Sequence, residues 1–129
     1  MSKDSPPRSS GTPDAEQFTR EWIAGWNAHD LDAVLAHFHD DVVFTSPLAA
    51  QIVPDSRGVI RGKGALRSYW TEGLRRNPDL HFVLEGVYVG VNTLVIHYRR
   101  QERGLANEVL IFDGDLVREG HATYSKALG

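Results

Sequence analysis

The C-terminal part of the chain contains four short segments rich in β-branched and aromatic residues, and a turn-forming sequence separates each from the next. Glycine or asparagine recurs at these separations, as in the turns of β-hairpins. Consecutive strands joined by such turns form an antiparallel sheet. The four predicted strands are Leu80 to Val89, Thr93 to Gln101, Glu108 to Phe112 and Val117 to Tyr124.

The residues before this sheet follow helical periodicity. One apolar stripe predicts a helix over residues 14–28, a second predicts a helix with Asp30 as its N-cap, and a third predicts a helix that stops before Pro78. The apolar residues at helical spacing are Phe18, Trp22, Ile23 and Trp26, then Leu31, Val34, Leu35 and Phe38, then Leu66, Tyr69, Trp70 and Leu74.

The segment between the second and third helices is less regular. Val42 to Thr45 predicts a short strand, and residues 48–62 predict a loop that contains a strand near Val59. Helices followed by consecutive strands are typical of α+β folds, in which the helices cover one face of the sheet. We therefore expect three N-terminal helices over the inner face of a curved antiparallel sheet.

Length and composition narrow the class of protein. The chain has 129 residues, which suits one domain over residues 14–129, preceded by a disordered tail, rich in Ser, Pro and Gly, at residues 1–13. A net charge of −3 does not favour nucleic acid as a partner. No apolar run is long enough to cross a membrane. The absence of cysteine suits a reducing compartment, so we expect a cytoplasmic protein.

The sequence predicts neither a metal nor another cofactor. The run His37-Phe38-His39-Asp40-Asp41 contains metal-ligand residue types, but side chains two positions apart on a helix do not face together. A solvated helix terminus is the simpler interpretation. No glycine-rich phosphate-binding sequence follows a predicted strand.

The order of these elements resembles the SnoaL-like branch of the nuclear transport factor 2-like superfamily. The resemblance covers residues 15–124 and rests on WNAHDLDAVLAHFHDDVVFTSP (26–47), RGKGALRSYW (61–70), PDLHFVLEGVYVGVNTLVIHYR (78–99) and EVLIFDGDLVREGHATY (108–124). It implies a cone-shaped α+β barrel closed by helices, and a homodimer formed through the outer face of the sheet. Because this fold hosts isomerases, cyclases, hydrolases and domains without known activity, the resemblance does not identify a reaction.

Alternation along the strands predicts which side chains share a face. If Arg103-Gly104 is a two-residue turn, Arg99 lies opposite Glu108. One face then holds Val95, His97, Arg99, Glu108, Leu110 and Phe112, and the other holds Leu94, Ile96, Tyr98, Val109 and Ile111. In an isolated domain the second, wholly apolar face would be the core.

The resemblance implies the reverse orientation. The steroid isomerases of this superfamily carry an inward carboxylic acid on the strand that ends in a Phe-x-Gly turn, and Glu108 stands at that place here. The polar face would then line the site, and the apolar face would form the dimer interface. The last strand, by the same comparison, turns Val117, Glu119, His121 and Thr123 inward.

The candidate catalytic residues are Glu108, His121, His97 and Arg99. A histidine would act as acid or base, Glu108 would orient it, and Arg99 would stabilise developing negative charge. The structural alternative is a buried ion pair that fixes the register of the sheet.

The candidate substrate-binding residues are Trp22, Trp26, Ser46 and Tyr69. The aromatic rings would stack on a planar ligand, or would only fill the core. By the resemblance, Trp22 and Ser46 replace the oxyanion-binding tyrosine and the proton-shuttling aspartate of the isomerases. Steroid isomerisation by that route is therefore not expected.

Three functions remain open at this point. The first is a lyase, isomerase or cyclase that acts on a small carbonyl-bearing metabolite. The second is a non-catalytic ligand-binding or dimerisation module, and the third is an epoxide-type hydrolase. An enzyme requires Glu108, Arg99 and a histidine to meet around an open cavity.

Overall fold

The computed structural model describes residues 13–126, apart from the side chain of Glu102. The predicted disordered tail lies outside the described residues except for its last residue, Pro13. In chain order the elements are α1 (Ala15–Asn27), α2 (Leu31–Leu35), β1 (Phe38–Thr45), α3 (Pro47–Ile52), β2 (Val59–Arg61), α4 (Lys63–Arg76), β3 (Val83–Gly90), β4 (Thr93–Arg99), β5 (Leu105–Asp113) and β6 (Leu116–Tyr124).

Two aspartates begin the first two helices. Asp14 accepts a hydrogen bond from the backbone N–H of Gln17, and Asp30 accepts one from the backbone N–H of Ala33. Each carboxylate satisfies a helix N–H that has no partner within the helix. The predicted N-cap at Asp30 is therefore confirmed, and the first helix starts where the sequence predicts.

Within residues 13–126, six strands form one curved, open sheet in the order β2-β1-β6-β5-β4-β3. Neighbouring strands are antiparallel except β1 and β6, which are parallel. The α+β class and the curved sheet covered by helices are confirmed. The prediction of a wholly antiparallel sheet is wrong at this one pair, because β1 enters from the helical half and not through a hairpin.

The segment from the second helix to α4 differs most from the prediction. Helix α2 ends at Leu35, so Phe38 and the His39-Asp40-Asp41 run begin strand β1 and are not a helix terminus. The predicted loop contains helix α3, which the Ser46 side chain caps by accepting a hydrogen bond from the N–H of Leu48. Proline at the first helical position suits this start. A strand does form at Val59–Arg61, as expected.

The predicted register between β4 and β5 is wrong by three residues. Arg99 pairs with Leu105, and Glu108 pairs with Ile96. The connection is longer than a two-residue turn, because a 3-10 turn at Gln101–Arg103 and Gly104, at φ 94°, intervene. An odd shift reverses the face of one strand relative to the other.

The inner face, covered by the helices, therefore carries a different set of residues from that predicted. Its members on β4 and β5 are Leu94, Ile96, Tyr98, Ala106, Glu108, Leu110 and Phe112, all buried. The outer face carries Val95, His97, Asn107, Val109 and Ile111, which are half-buried. Leu94, Ile96 and Tyr98 were expected outside, whereas Val109 and Ile111 lie on the outer face as predicted.

A β-bulge changes the alternation along β6. Ile111 pairs with Glu119, and the next residue, Phe112, pairs with Val117, so Arg118 is the extra residue. Val117 faces inward, and beyond the bulge the inward residues are Gly120, Ala122 and Tyr124. Glu119 and His121 lie on the outer face, where His121 pairs with Val109. The predicted inward position of Glu119, His121 and Thr123 is wrong, because a bulge shifts the period by one residue.

Helix α1 is fixed to the start of β3 by a side chain that copies backbone pairing. The Asn27 amide donates to the carbonyl of Phe82 at 3.0 Å and accepts from its N–H at 2.7 Å. The His29 ring also bonds the carbonyl of Leu80 at 2.9 Å. These contacts hold Leu80 and Phe82 beside the tryptophans of α1.

Among the described residues, none of the helices is long and apolar enough to cross a membrane.

Candidate functional site

A cavity of about 190 Å³ lies between the helices and the inner face of the sheet. Its walls are mostly aromatic and aliphatic, and its polar groups are few. The lining residues are Trp22, Trp26, Phe44, Leu48, Ile52, Tyr69, Trp70, Gly73, Arg76, Asn77, Leu80, Phe82, Tyr98, Arg103, Glu108, Ala122 and Tyr124. An apolar cavity with a few polar groups is typical of small-molecule sites.

Aromatic packing sets the shape of the wall. Trp22 stacks on Phe82 with ring centroids 5.7 Å apart, and Phe82 contacts Tyr98 at 4.5 Å. Trp26 meets Trp70 edge-on at 4.9 Å. Such pairs fix each ring by its neighbours. The wall is therefore built of rings that pack against one another.

Glu108 is the only carboxyl group that lines the cavity among the described residues. It is 3% exposed, and the Tyr98 hydroxyl donates a hydrogen bond to its Oε1 at 3.1 Å. Burial raises the pKa of Glu108 to about 8, and the bond from Tyr98 opposes this only in part. A carboxyl group with that pKa is mainly protonated at pH 7, so it can donate a hydrogen bond or a proton.

Three tyrosine hydroxyls accompany this acid. Tyr98, Tyr69 and Tyr124 line the cavity, and burial raises the pKa of each. The nearby Glu108 carboxyl group raises these three pKa values further. All three phenols therefore stay neutral at physiological pH and act as hydrogen-bonding groups.

Ser46 joins two of these tyrosines. Its Oγ lies 3.2 Å from the Tyr69 hydroxyl and 3.3 Å from the Tyr124 hydroxyl, and it also accepts from the N–H of Leu48 at 3.1 Å. A serine hydroxyl has one hydrogen and two acceptor positions. Leu48 occupies one acceptor position, so Ser46 must accept from one tyrosine and donate to the other. The tyrosine that accepts keeps its own O–H hydrogen free for a ligand.

Two indole N–H groups also belong to the cavity wall. Trp22 and Trp26 line the cavity, and the Nε1 atoms of both are buried without a hydrogen-bond partner among the described residues. An unsatisfied buried donor costs about 1–3 kcal/mol.

The structure brings together only part of the predicted catalytic set. Glu108 lies in the cavity, but His97, His121 and Arg99 do not line it. The predicted pairing of Glu108 with Arg99 is wrong, because Arg99 Nε donates to Glu85 at 3.2 Å on the other side of the sheet.

The two histidines likewise have partners outside the cavity. The His97 ring bonds Asn107 at 2.9 Å, and the His121 ring bonds Thr45 at 2.7 Å and Glu119 at 3.2 Å. Neither imidazole can reach a ligand held beside Glu108 through the intervening sheet.

The predicted binding residues lie at or beside the cavity. Trp22, Trp26 and Tyr69 line it, and Ser46 is buried behind Tyr69 and Tyr124. Sequence reasoning missed Tyr98 and Tyr124. The signal for Tyr98 was its alternation with Leu94 and Ile96 in an otherwise apolar series, and for Tyr124 it was the series Gly120, Ala122, Tyr124 beyond the bulge.

Comparisons with known proteins agree with this architecture. The family model of the SnoaL-like domain matches residues 19–121. A SnoaL-like protein of unknown function from Burkholderia thailandensis is 45% identical, with a TM-score of 0.81, over 87% of this chain and 94% of that chain. A comparison with curated proteins gave no significant match.

More distant structures share the fold at low identity. A putative ketosteroid isomerase from Kribbella flavida is 13% identical, with a TM-score of 0.67, over 89% of this chain and 80% of that one. TerC, co-crystallised with polyporic acid, is 9% identical, with a TM-score of 0.71, over 86% of this chain and 91% of that one. At these identities the comparison shows the fold alone. Because the family model matches most of this chain, the chain belongs to the SnoaL-like domain family.

Proposed function

We propose that this protein binds a small, largely apolar carbonyl compound in the cavity and uses Glu108 to exchange protons with it. The observation that carries the proposal is a buried carboxyl group with a pKa of about 8 on the floor of an aromatic cavity. General acids work best when their pKa lies near the working pH. Family membership and the cavity support small-molecule binding, and Glu108 supports acid–base chemistry.

The proposed reaction needs one titrating group. Glu108 in its acid form donates a proton to the substrate oxygen, and the carboxylate that results takes a proton from the adjacent carbon. The product is an enol. If the substrate is a β,γ-unsaturated ketone, Glu108 then protonates the γ carbon and takes back the proton of the enol oxygen, which moves the double bond without oxidation or reduction. Tyr98 stabilises the carboxylate by its hydrogen bond to Oε1. The free tyrosine O–H beside Ser46 is a second donor for the substrate oxygen.

This proposal assigns new roles within the predicted set. Glu108 replaces His97 or His121 as the acid and base, and Arg99 has no part in the reaction. The hydrolase alternative needs the same predicted polar residues, and of these only Glu108 lines the cavity. It is therefore less favoured than enol chemistry. The distant resemblance to a putative ketosteroid isomerase is compatible with enol chemistry but does not extend to a steroid substrate.

A non-catalytic binding module is the second candidate. It is favoured by the neutral tyrosines, which bind ligand oxygens but do not exchange protons near pH 7. Hydrogen–deuterium exchange separates the two candidates. The protein is incubated in D₂O with 4-acetylbenzamide, an uncharged one-ring methyl ketone, and loss of the methyl signal is followed by NMR.

An enzyme should accelerate the exchange, and Glu108→Gln should slow it by at least about a hundredfold, in the range typical of a positioned acid or base. Glu119→Gln on the outer face is the matched control and should exchange at the wild-type rate. Binding without exchange in the wild type would favour the module. Absence of both binding and exchange would contradict the proposed function.

We also propose a homodimer, at a surface corrected by the observed register. A line of residues crosses the outer face from strand to strand: Tyr88, Val95, Val109, His121, Thr45 and Val59. Tyr88 is 61% exposed at the end of this line. Tyr88, Val95 and Val109 are apolar neighbours on this line, and exposed apolar surface on a small domain favours burial in an interface.

Val95→Glu with Val109→Glu should convert the dimer to a monomer in analytical ultracentrifugation. Arg67→Glu on helix α4 is the control and should leave the dimer unchanged. A monomeric wild type at high micromolar concentration would contradict this interface. A cytoplasmic location, favoured by the lack of cysteine, remains part of the proposal.

A further inference from the structure

The mouth of the cavity carries positive charge on a protein that is acidic overall. Arg76 and Arg103 line the cavity from two different elements, the end of α4 and the turn between β4 and β5. The whole chain has a net charge of −3. The two guanidinium groups at the cavity opening are therefore opposite in sign to the net charge of the chain.

These charges are only partly neutralised. One carboxylate, Glu72, accepts hydrogen bonds from Arg76 at 2.7 Å and from Arg75 at 2.6 and 2.9 Å. Two guanidinium groups share it, so the end of α4 retains one positive charge. Arg103 makes no ion pair with any carboxylate of the described residues.

Arg100 adds a third charge behind the cavity wall. Its guanidinium carbon lies 4.2 Å from the ring centre of Tyr124, which lines the cavity, and its NH2 group donates to the carbonyl of Arg103 at 2.8 Å. Its Nε is buried and has no hydrogen-bond partner among the described residues. Arg100 therefore holds the Arg103 turn in place and contributes positive potential to the same opening.

The cavity floor does not oppose an anion. Its carboxyl group, Glu108, is mainly protonated at pH 7, and the tyrosines are neutral. Guanidinium groups bind carboxylates through paired hydrogen bonds. A ligand with a carboxylate at one end and an uncharged acceptor at the other would satisfy the arginines at the mouth and the donors at the floor.

We infer that the ligand of this protein is a keto acid, or a similar carbonyl compound with a carboxylate, whose carboxylate binds Arg103 at the mouth while its carbonyl oxygen reaches Glu108. This inference rests on the proposed function, because it names the class of compound that the same cavity takes. It assigns substrate selection to Arg103, with Arg100 as the residue that positions it.

Two probes of nearly equal shape test the inference. 4-Acetylbenzoate carries the carboxylate, and 4-acetylbenzamide replaces it by a neutral amide. The dissociation constant of each is measured by NMR titration with wild type, Arg103→Gln, Glu108→Gln and Arg20→Gln. Arg20 is an exposed residue of α1 that does not line the cavity, so this control makes the same change in net charge.

We expect the wild type to bind the benzoate at least about tenfold more tightly than the benzamide, which is the ratio that 1.4 kcal/mol of charge-assisted bonding gives. Arg103→Gln should remove this preference, because it weakens binding of the benzoate far more than binding of the benzamide. Arg20→Gln should keep the preference. Salt at about 0.5 M should reduce it, because the arginines are exposed to screening.

The outcomes distinguish this inference from the proposed function. Equal binding of both probes, weakened in both cases by Glu108→Gln, would overturn the inference and leave the proposed function intact. A preference that survives Arg103→Gln would also overturn it. Failure of both probes to bind would overturn both.

Discussion

Ionisable side chains on the two faces of strands β4 to β6 differ in their burial and in their partners. On the inner face Glu108 is 3% exposed and has a tyrosine, not a cation, as its partner. On the outer face Arg99 pairs with Glu85, and His121 pairs with Glu119, with all four side chains partly exposed to water. The same strands thus bear a neutralised acid on one side and compensated charges on the other.

This difference separates stability from function. Ion pairs near water contribute little, typically below about 1 kcal/mol, and are tolerated on any surface. A carboxyl group buried without a cation destabilises the fold whenever it ionises. The outer pairs need no functional explanation, whereas the inner acid is costly, and the proposed use of it by a ligand would account for that cost.

The largest expected effect is on the pH dependence of stability through Glu108. Its pKa is raised from 4.5 to about 8, so between these values the folded state holds a proton that the unfolded state releases. The wild type therefore loses stability as the pH rises through this window. Glu108→Gln keeps the volume and the acceptor for Tyr98 but cannot ionise.

Relative to wild type, the variant should gain on the order of 4 kcal/mol between about pH 5 and pH 9 in urea unfolding. At pH 5 the two should differ by about 1 kcal/mol or less. Glu119→Gln on the outer face should show no comparable gain. A difference between Glu108→Gln and wild type that stays constant with pH would place Glu108 in contact with water.

The next effect compares neighbouring apolar residues on the two faces. Leu110 is fully buried on the inner face, and Ile111 is half-buried on the outer face. Leu110→Ala should cost about 2–5 kcal/mol because it leaves a cavity in the core. Ile111→Ala should cost about 1 kcal/mol at low protein concentration, measured in the same urea experiment. Equal costs would mean that the outer face is as deeply buried as the core.

The sequence was sufficient for most of the fold because helical and β periodicities differ locally. The stripes of Trp22 and Trp26, the cap at Asp30 and the β-rich segments predicted element type and order correctly. Helix α3 was missed because it is short and held by one serine cap and a proline. Its stability comes from packing that local periodicity does not record.

The site depended on register, which the sequence specified weakly. Because the connection between β4 and β5 is longer than predicted, Arg99 pairs with Leu105 and not with Glu108. Because of the bulge at Arg118, His121 lies on the outer face and not on the inner one. The first change is three residues in a turn and the second is one extra residue within a strand, yet each reverses the face of a catalytic candidate. Glu108 was placed correctly because the family resemblance supplied its orientation independently of the turn.

A smaller effect is expected at Ser46, which connects the helical half to the inner face. Ser46→Ala removes the cap of α3 and the anchor of Tyr69 and Tyr124, and should cost about 1–2 kcal/mol. Asp30→Ala removes the cap of α2 and is the matched control for stability. Only Ser46→Ala should weaken the binding of 4-acetylbenzamide, by a few-fold. Equal binding by both variants would show that the two tyrosines do not need this anchor.

The smallest effect is expected at the outer ion pair, and it tests the register directly. Arg99 is 49% exposed, and its partner Glu85 is 34% exposed. Arg99→Met and Glu85→Gln should each cost well under about 1 kcal/mol, and the coupling energy of the double variant should fall further in salt. None of these variants should change ketone binding. An Arg99 paired with Glu108 inside the sheet would behave differently: removing one partner would cost about 3–5 kcal/mol and would abolish binding. A coupling of that size between Arg99 and Glu108, in place of Glu85, would restore the two-residue turn and reverse the assignment of the two faces.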